Sequence, residues 1–537
     1  MKLVIVGGGV TALAAAHRAV ELARERGLDL DVKLVEARRR LGGTIATERA
    51  DGFLVEAGPD SFLSEKPWAL ALCRRLGLEG RLVRTDDRFR KVFVWFRGRL
   101  HPLPDGFQLL APTRLAPFVT SSLFSWRGKA RMALDLLLPR GGGAVGGDDE
   151  SLGAFVRRRL GAEALERVAQ PLVAGIYTAD PDELSVAATM PRFVDVERRH
   201  RSVILGLRRG LVQAPGDAGL ATSGTSSAIG GTSSALSGTS GARWSLFVTF
   251  ADGMQTLVRT LANRLPDSAI VLGQRVGALE RDGAHWRVTS ADGARFDADR
   301  VILATEAHAS ARLLRYVDPA LAVLLGDIDY AGSATVSLGF RRGEVPHALD
   351  GFGFVVPRSE GKALLAATFS SVKYPGRAPA GHVLIRCFLG GTLNAEVLRE
   401  DDASLVVRAR RELGEALGVA AEPGLVRVSR WPASMPQYRV GHLARVDAIE
   451  RRAAALPGLH LTFAKRLDLL SVVAQEPAQH LARVLAGAVR RRPGRERTAA
   501  VDHERHAGDA HALASGVGHG REKLALGEMR MRDHVGG

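Results

Sequence analysis

A glycine-rich turn between a short apolar strand and a helix constrains the fold of this chain more than any other feature of the sequence. The apolar, β-rich segment Lys2–Val6 ends on three consecutive glycines. Apolar side chains then recur at helical spacing from Val10 to Arg26, and a second short strand, Val32–Val35, ends at Glu36. This order predicts a βαβ unit of the length that a mononucleotide-binding half requires.

The turn itself, Gly7-x-Gly9-x-x-Ala12, matches the dinucleotide-binding fingerprint with alanine at the third glycine position. Gly7 permits the tight turn, and Gly9 lets the backbone approach a pyrophosphate. The helix N-terminus after the turn supplies free N–H groups and about half a positive charge. Glu36 lies where a carboxylate accepts hydrogen bonds from ribose hydroxyls. The motif predicts a site for NAD or FAD, against the alternative of a glycine-rich turn in an unrelated α/β fold.

Length and composition limit the class of protein. At 537 residues the chain exceeds the roughly 250–300 residues at which a single core stops growing, so we expect at least two domains. A hydrophobic content of 46% and a charged content of 25% argue against wholesale disorder and against a multi-span membrane protein. No apolar run reaches the roughly 18 residues of a membrane span and no signal peptide is visible, so we expect a cytoplasmic protein.

The charge and the cysteines narrow the choice of partners. The net charge of +16 has two interpretations: a GC-rich genome, or an anionic partner such as a phosphate, a carboxylated substrate, a membrane surface or nucleic acid. No nucleic-acid recognition module accompanies the charge, so we expect no nucleic-acid binding. Two cysteines, Cys73 and Cys387, are too few for a disulfide scaffold, a four-cysteine zinc module or a cysteine-ligated iron–sulfur cluster.

The residues after the second strand favour FAD over NAD. Arg38 and the paired glycines Gly42-Gly43 come first, and Gly58-Pro59-Asp60-Ser61 comes next. These segments resemble the flavin-containing amine oxidase and protoporphyrinogen oxidase superfamily. In that superfamily a basic residue and a paired-glycine loop continue the pyrophosphate site, and the Gly-Pro-Asp-Ser segment passes the flavin. The resemblance implies that FAD is the cofactor.

Three later segments narrow the resemblance to the porphyrinogen oxidases of the heme pathway. They are Pro171–Ser185 (PLVAGIYTADPDELS), Phe247–Leu257 (FVTFADGMQTL) and Trp431–His442 (WPASMPQYRVGH). With the N-terminal half-site they cover residues 1 to about 462 in family order. The resemblance implies an α/β fold with a Rossmann-like FAD-binding domain, an inserted mixed-sheet substrate domain and a helical membrane-associating domain. We expect the FAD-binding domain at 1–90, 244–306 and 425–462, the helical domain at 91–213, and the substrate-binding sheet domain at 307–424.

The resemblance also implies a reaction and a set of partners. Six electrons are removed from protoporphyrinogen IX or coproporphyrinogen III, and O2 reoxidises FAD to give hydrogen peroxide. The demanding chemistry belongs to the cofactor, so we name no catalytic base and no metal ligand. The expected partners are the porphyrinogen, O2, an anionic membrane surface, ferrochelatase and a second copy of the chain. The expected location is cytoplasmic, with peripheral attachment to the inner face of the cell membrane.

The resemblance assigns residues to the cofactor and to the substrate. The expected cofactor-binding residues are Gly7, Gly8, Gly9, Val10, Thr11, Ala12, Glu36, Ala37, Arg38, Gly42, Gly43, Gly58, Pro59, Asp60, Ser61, Val276 and Trp431. Gly175 gives room to the macrocycle, and Thr368 and Phe388 align with residues that sandwich the tetrapyrrole. Plant-type relatives place an arginine for a substrate propionate where this chain has His101, and Arg97 or Arg99 is the expected substitute.

Two segments depart from the family pattern. Residues 214–243 contain a seven-residue Gly/Ser/Thr repeat, which predicts a flexible insertion. Residues 463–537 lack the family's glycine-rich flavin-binding end and are rich in Arg, Ala, Gly and His, which suggests a frameshift near codon 463 and a largely disordered tail. Two alternatives stay open: another flavin amine oxidase or desaturase, and an inactive porphyrin-binding relic without its flavin.

Overall fold

The computed structural model describes residues 1–64, 67–108, 110–141, 149–212 and 245–462. The repeat at 214–243 and the tail at 463–537 lie outside the described residues, so the predictions for both segments stay predictions. No helix within the described ranges is long and apolar enough to cross a membrane.

Five parallel strands form a sheet, here called the nucleotide sheet, around the glycine-rich turn. Their order across the sheet is Ile270–Leu272, Asp31–Glu36, Lys2–Val6, Arg300–Leu303 and Leu459–Leu461. Three widely separated parts of the chain therefore meet in one sheet. Helix Val10–Glu25 packs against it through a buried, alanine-rich face, because small side chains allow a close approach between helix and sheet. The predicted α/β class is confirmed.

A second, larger sheet supports the other half of the protein. Its seven strands run in the order Leu425–Pro436, Tyr330–Arg341, His382–Gly390, Leu364–Phe369, Gly351–Val355, Lys91–Phe96 and Arg99–Pro102. All neighbours are antiparallel except Gly351–Val355 and Lys91–Phe96, which are parallel. Helix Asp402–Leu417 covers one face, starts at the Asp401 cap and stops at Gly418, whose φ of 73° is left-handed.

The strand pairing differs from the expected domain boundaries in two places. Lys91–Phe96 and Arg99–Pro102, which we assigned to the helical domain, form an edge of the seven-stranded sheet. Leu425–Pro436, which we assigned to the FAD-binding domain, forms the opposite edge by pairing with Tyr330–Arg341. Both segments pair with strands far away in the sequence, and local periodicity carries no information about such partners.

Residues 115–141 and 149–212 are mainly helical, as predicted from their amphipathic spacing. Serine side chains accept N–H bonds at three helix starts, Ser125, Ser151 and Ser185, which explains where these helices begin. The helical segments are Leu115–Thr120, Trp126–Ala133, Leu152–Arg159, Ala162–Ala164, Leu165–Ala169 (a π turn), Gln170–Tyr177, Val186–Thr189, Pro191–His200 and Val203–Val212.

Shorter elements complete the described fold. The remaining helices are Pro67–Arg75, Gln255–Ala262, Ala307–Leu314, Pro319–Gly326, Ser370–Lys373 and His442–Ala454. The remaining strands are Thr47–Ala50, Phe53–Glu56, Phe62–Leu63, Leu82–Arg84, Phe107–Gln108, Ala111–Pro112, Phe247–Phe250, Val276–Asp282, His285–Ser290 and Arg295–Ala298. The last three form an antiparallel sheet of their own, and its inward face packs beside the nucleotide sheet.

Candidate functional site

The glycine-rich turn opens a cavity at the carboxyl end of the nucleotide sheet. Gly7 has a φ of +112°, and a Cβ there would lie 2.6 Å from the carbonyl oxygen of Ala304, so only glycine fits this position. A Cβ on Gly9 would meet nothing within 4 Å, so the space in front of the next helix is open. Because that helix begins at Val10, its free N–H groups face an open site of the kind that binds a pyrophosphate.

Glu36 is held at the tip of its strand by backbone hydrogen bonds. The Gly8 N–H donates to one carboxylate oxygen over 2.5 Å and the Arg38 N–H donates to the other over 2.7 Å. A Cβ on Gly8 would lie 2.8 Å from Glu36, so the absence of a side chain lets the carboxylate approach the turn. A carboxylate has further lone pairs for ribose hydroxyls.

The paired-glycine loop folds back onto the same turn. The Gly42 N–H donates to the Gly8 carbonyl over 2.8 Å, and a Cβ on Gly43 would lie 3.3 Å from the Cα of Gly9. The Arg40 guanidinium donates to the Gly43 carbonyl over 2.7 Å, which stabilises the conformation of the loop. The two glycine segments, about 35 residues apart in the sequence, thus form one backbone cradle.

The cavity at this cradle measures about 670 Å³, and we call it the cofactor channel. Twelve of the expected cofactor residues line it: Gly7, Gly8, Gly9, Val10, Thr11, Glu36, Ala37, Arg38, Gly42, Gly43, Val276 and Trp431. Ala12 does not, because it is fully buried in the helix face against the sheet. Gly58 and Pro59 are also outside the channel wall, and Asp60 and Ser61 line a different cavity.

Sequence reasoning missed one wall of the channel. Ala304, Thr305, Glu306 and His308 line it just beyond the strand Arg300–Leu303. Lys2–Val6 has the second strand of the βαβ unit on one side and Arg300–Leu303 on the other. The direction in which the chain adds strands to the sheet therefore reverses at Lys2–Val6. Ligands of open α/β sheets bind at such a reversal, so the pairing of this strand is the signal that would have identified the wall.

The segment Ala57–Ser61 runs from a contact with the channel residue Trp431 to the wall of a second cavity. The Ala57 carbonyl accepts hydrogen bonds from Trp431 Nε1 over 2.7 Å and from an Arg386 Nη over 3.2 Å, and both donors belong to the seven-stranded sheet. A Cβ on Gly58 would lie 1.8 Å from the Thr44 carbonyl oxygen, so glycine is required there. The start of the segment is therefore held by the seven-stranded sheet at Ala57 and by close contact with Thr44 at Gly58.

The second cavity, here called the substrate cavity, measures about 290 Å³. Gly175, Thr368 and Phe388, the three residues expected around a macrocycle, all line it, although they come from one helix and two strands. Other apolar wall residues include Leu172, Ile176, Phe247, Phe352, Phe354 and Val355. The polar wall residues are Asp60, Ser61, Thr85, Arg90, Ser245, Thr368 and Lys373.

Asp60 is the ionised centre of the polar wall. Lys373 Nζ lies 3.1 Å from one carboxylate oxygen, and the Ser61 hydroxyl donates to the other over 2.6 Å. Burial alone would raise the pKa of this carboxyl, but the charges of Lys373 and Arg386 outweigh burial and lower the pKa to about 2. Asp60 therefore stays charged at neutral pH.

The expected propionate residues lie elsewhere. Arg97 stacks over the Phe96 ring, with its Cζ 5.3 Å from the ring centroid, and His101 contacts the Ser122 hydroxyl over 3.0 Å and the Phe96 carbonyl over 3.1 Å. Neither of them, nor Arg99, lines the substrate cavity. The cations on the described part of the cavity wall are Arg90 and Lys373, and short-range sequence patterns give no sign of either.

Comparison with known families decides between the dinucleotide-binding classes. The family model of the flavin containing amine oxidoreductases matches residues 13–462. This chain belongs to the flavin-containing amine oxidoreductase family. The match ends at residue 462, which is where the sequence departs from the expected flavin-binding end. The predicted family is therefore confirmed.

Curated relatives are similar to this chain over most of their length. The coproporphyrinogen III oxidase of Bacillus subtilis (strain 168) is 36% identical over 86% of this chain and 92% of its own. The coproporphyrinogen III oxidase of Propionibacterium freudenreichii is 38% identical over 84% of each chain. The chloroplastic protoporphyrinogen oxidase of Nicotiana tabacum is 30% identical over 85% of this chain and 79% of its own.

Solved structures of related proteins share the fold. A proposed protoporphyrinogen oxidase from Exiguobacterium sp. 255-15 superposes with a TM-score of 0.76 and 30% identity, covering 90% of this chain and 99% of the other. Cyclohexylamine oxidase from Brevibacterium oxydans IH-35A superposes with a TM-score of 0.62 at 16% identity, covering 90% and 99%. The second likeness supports the fold alone.

FAD is the cofactor of this chain, as the sequence predicts, and the described residues fit it. The open space at Gly9 and the helix N-terminus beyond it suit the pyrophosphate. The fixed carboxylate of Glu36 suits a ribose. The channel continues from this cradle to Trp431, next to the fixed segment Gly58–Ser61.

Proposed function

We propose that this chain oxidises a porphyrinogen to the porphyrin and that coproporphyrinogen III is its substrate. The overall reaction removes six hydrogen atoms from the macrocycle and reduces three O2 to three hydrogen peroxide. The observation that carries the proposal is a mainly apolar cavity tied to the cofactor channel by one short segment: the channel residue Trp431 donates to the Ala57 carbonyl, and Asp60 and Ser61, a few residues further on, line the cavity. The names of the two bacterial relatives with 36% and 38% identity support coproporphyrinogen III.

The cavity walls suit a macrocycle that carries carboxylates. Aromatic and aliphatic side chains offer a flat apolar surface, and Gly175 leaves room beside it. Arg90 and Lys373 add two cations to the wall. Both candidate substrates carry propionates, four in coproporphyrinogen III and two in protoporphyrinogen IX. We propose that Arg90 and Lys373 bind propionates in place of Arg97, Arg99 and His101.

The residues of the chain bind, orient and exclude water in this proposal. FAD, when bound, accepts a hydride from a methylene bridge of the macrocycle and passes the electrons to O2. Phe388 and the residues around Gly175 hold the macrocycle in an apolar space, and Trp431 and Arg386 hold Ala57, three residues before the cavity residue Asp60. We retain the expected cofactor-binding set as a proposal for the residues that line the channel.

We also propose the expected three-part division of the chain, with revised boundaries. Residues 91–102 and 425–436 move to the substrate-binding sheet domain, because they pair with its strands. The FAD-binding domain then consists of 1–90, 245–306 and 437–462. The helical domain retains the helices between Leu115 and Val212.

A surface on the helical domain supports the expected contact with an anionic membrane. Among the described residues, five of the ten exposed large hydrophobic side chains lie between Leu115 and Leu137, and Trp126 and Leu137 are each 71% exposed. The exposed arginines Arg114, Arg127 and Arg140 belong to the same stretch of the chain. Apolar side chains beside cations suit an anionic lipid surface. Contacts with ferrochelatase or with a second copy stay predictions.

The test is an assay of purified full-length protein supplied with excess FAD. Coproporphyrinogen III, protoporphyrinogen IX and putrescine are compared by porphyrin fluorescence and by hydrogen peroxide formation. We expect porphyrin and peroxide in a ratio of one to three, with coproporphyrinogen III preferred. Amine oxidation without porphyrin formation would overturn the proposal. Porphyrin binding by a protein that retains no flavin once unbound FAD has been removed would instead support the inactive relic.

A further inference from the structure

One carboxylate faces the substrate cavity and has no role in the proposed reaction. Asp60 is the only acidic side chain among the described residues that line the cavity. Its side chain keeps 21% of its surface accessible, while that of Lys373 keeps 13%. The remaining wall is mainly apolar, with a few hydroxyl groups and two cations. A charged group at the wall of such a cavity needs a ligand or a structural reason.

The immediate partners of Asp60 leave it able to accept more hydrogen bonds. Lys373 and Ser61 donate to it over 3.1 Å and 2.6 Å, whereas an ionised carboxylate offers about four acceptor sites. The nearby charges of Lys373 and Arg386 keep the pKa of Asp60 far below neutral pH, so these sites are always available. The backbone is also rigid here, since the preceding segment is fixed at Ala57 and Gly58.

A porphyrinogen has a matching donor set. Its four pyrrole N–H groups are joined by sp³ methylene bridges, so the rings can tilt and direct several N–H groups to one side. The porphyrin product is planar and conjugated, with two N–H groups turned into the ring centre. An acceptor at the cavity wall can therefore reach the N–H groups of the substrate but not those of the product.

We propose that the Asp60 carboxylate accepts hydrogen bonds from the pyrrole N–H groups of the porphyrinogen and thereby distinguishes the reduced macrocycle from its oxidised product. This inference rests on the proposed function and adds a specificity-determining residue to it. Once the macrocycle covers the cavity, the acceptor sites of Asp60 that Lys373 and Ser61 do not use are cut off from water, so loss of the N–H donors leaves them unsatisfied and disfavours the oxidised form. The same contact fixes the orientation of the macrocycle, and loss of the N–H donors on oxidation favours release of the porphyrin.

The competing explanation is a purely structural ion pair between Asp60 and Lys373. The two explanations predict different effects of removing the lysine. If Asp60 binds the substrate, Lys373→Met leaves the acceptor in place and weakens substrate and product alike, since both have the same propionates. If the pair only maintains the fold of the wall, Asp60→Asn and Lys373→Met have the same effect.

The experiment measures binding, so it does not depend on oxidase activity. The full chain, with any bound flavin reduced beforehand and under anaerobic conditions, is titrated with fluorescent coproporphyrin III, which is then displaced with coproporphyrinogen III. We expect Asp60→Asn to weaken binding of the porphyrinogen on the order of 10- to 100-fold, as for loss of hydrogen bonds to a charged group, and to leave porphyrin binding nearly unchanged. Asp105→Asn, an exposed aspartate outside the cavity, is the matched control.

Each outcome is decisive. The decisive quantity is the dissociation constant of the porphyrin divided by that of the porphyrinogen. If this ratio is unchanged in Asp60→Asn, or falls equally in Lys373→Met, the inference is overturned and the proposed function stays intact. Failure of the wild-type chain to bind either macrocycle would instead count against the proposed function itself. If thermal unfolding shows that Asp60→Asn does not fold, Lys373→Met decides alone. A ratio of dissociation constants equal to that of the wild type supports the inference, and a ratio well below it overturns the inference.

Discussion

The indole Nε1 of Trp431 donates a hydrogen bond to the carbonyl oxygen of Ala57 over 2.7 Å, although 374 residues separate them in the sequence. Trp431 lines the cofactor channel, and Ala57 precedes the segment whose Asp60 and Ser61 line the substrate cavity. Arg386 reaches the same carbonyl from a neighbouring region of the seven-stranded sheet. One carbonyl oxygen thus ties two strands of the seven-stranded sheet to the segment that leads to the substrate cavity.

Loss of this bond is expected to weaken FAD retention. Trp431→Phe keeps an aromatic ring but removes the donor, and the Ala57 carbonyl retains its Arg386 partner. A neutral hydrogen bond contributes about 1 kcal/mol, so we expect the dissociation constant for FAD to rise about fivefold. Flavin fluorescence titration of the apoprotein measures it. Trp126→Phe, on the exposed helical surface, is the control and should leave FAD binding unchanged.

The cofactor cradle could be predicted from the sequence because its determinants are local. Gly7 and Gly9 lie in one turn, and the length of the βαβ unit fixes the distance to Glu36. The polar wall of the substrate cavity could not be predicted in this way. Asp60 and Lys373 are 313 residues apart, and only the pairing of strands brings them together.

The same reasoning explains the propionate residues. Arg97, Arg99 and His101 share a hairpin with Phe93, and a sequence pattern cannot tell which face of that hairpin meets the cavity. In the structure none of these three side chains lines the substrate cavity, whereas Arg90 does. The macrocycle residues Gly175 and Phe388 could be found only through resemblance to a family, since a glycine in a helix and a phenylalanine in a strand are ordinary core features.

Substitution of Gly175 separates stability from substrate binding. A Cβ there would lie 3.7 Å from both Ala366 and Val355, an ordinary contact, so Gly175→Ala should fold and gain about 0.5–1 kcal/mol of helix stability. Gly175→Leu would extend into the cavity and should weaken coproporphyrin III binding on the order of tenfold or more. Thermal unfolding and porphyrin fluorescence measure the two effects.

The control for this series is Gly326→Ala in another helix, where a Cβ would also meet only a side-chain methyl at 3.9 Å. It should change the unfolding temperature without changing porphyrin affinity. Full porphyrin affinity in Gly175→Leu would contradict the placement of the macrocycle beside this helix.

A buried ion pair is expected to dominate the stability of the helical domain. Arg159 and Asp135 are both fully buried, and Arg159 Nε donates to the Asp135 carboxylate over 2.7 Å. Arg159→Met would leave this carboxylate without its charged partner, which costs about 3–5 kcal/mol in unfolding free energy. Urea unfolding measures the loss. Arg157→Met, which removes a half-exposed pair with Asp182, should cost less than about 1 kcal/mol, and similar losses in both variants would refute the prediction.

The stability contributed by Asp60 should disappear in acid. Its folded-state pKa of about 2 lies below the usual value of about 3.9, so the unfolded chain takes up the proton first as the pH falls. The contribution is complete above about pH 5 and is lost between about pH 4 and pH 2, with a total on the order of 2 kcal/mol. In urea unfolding, the difference between wild type and Asp60→Asn should therefore be constant from about pH 8 to pH 5 and shrink below about pH 4, down to the lowest pH at which the wild type still unfolds cooperatively. A difference for Asp60→Asn that stays constant into acid would mean that the charges of Lys373 and Arg386 do not hold this carboxylate ionised.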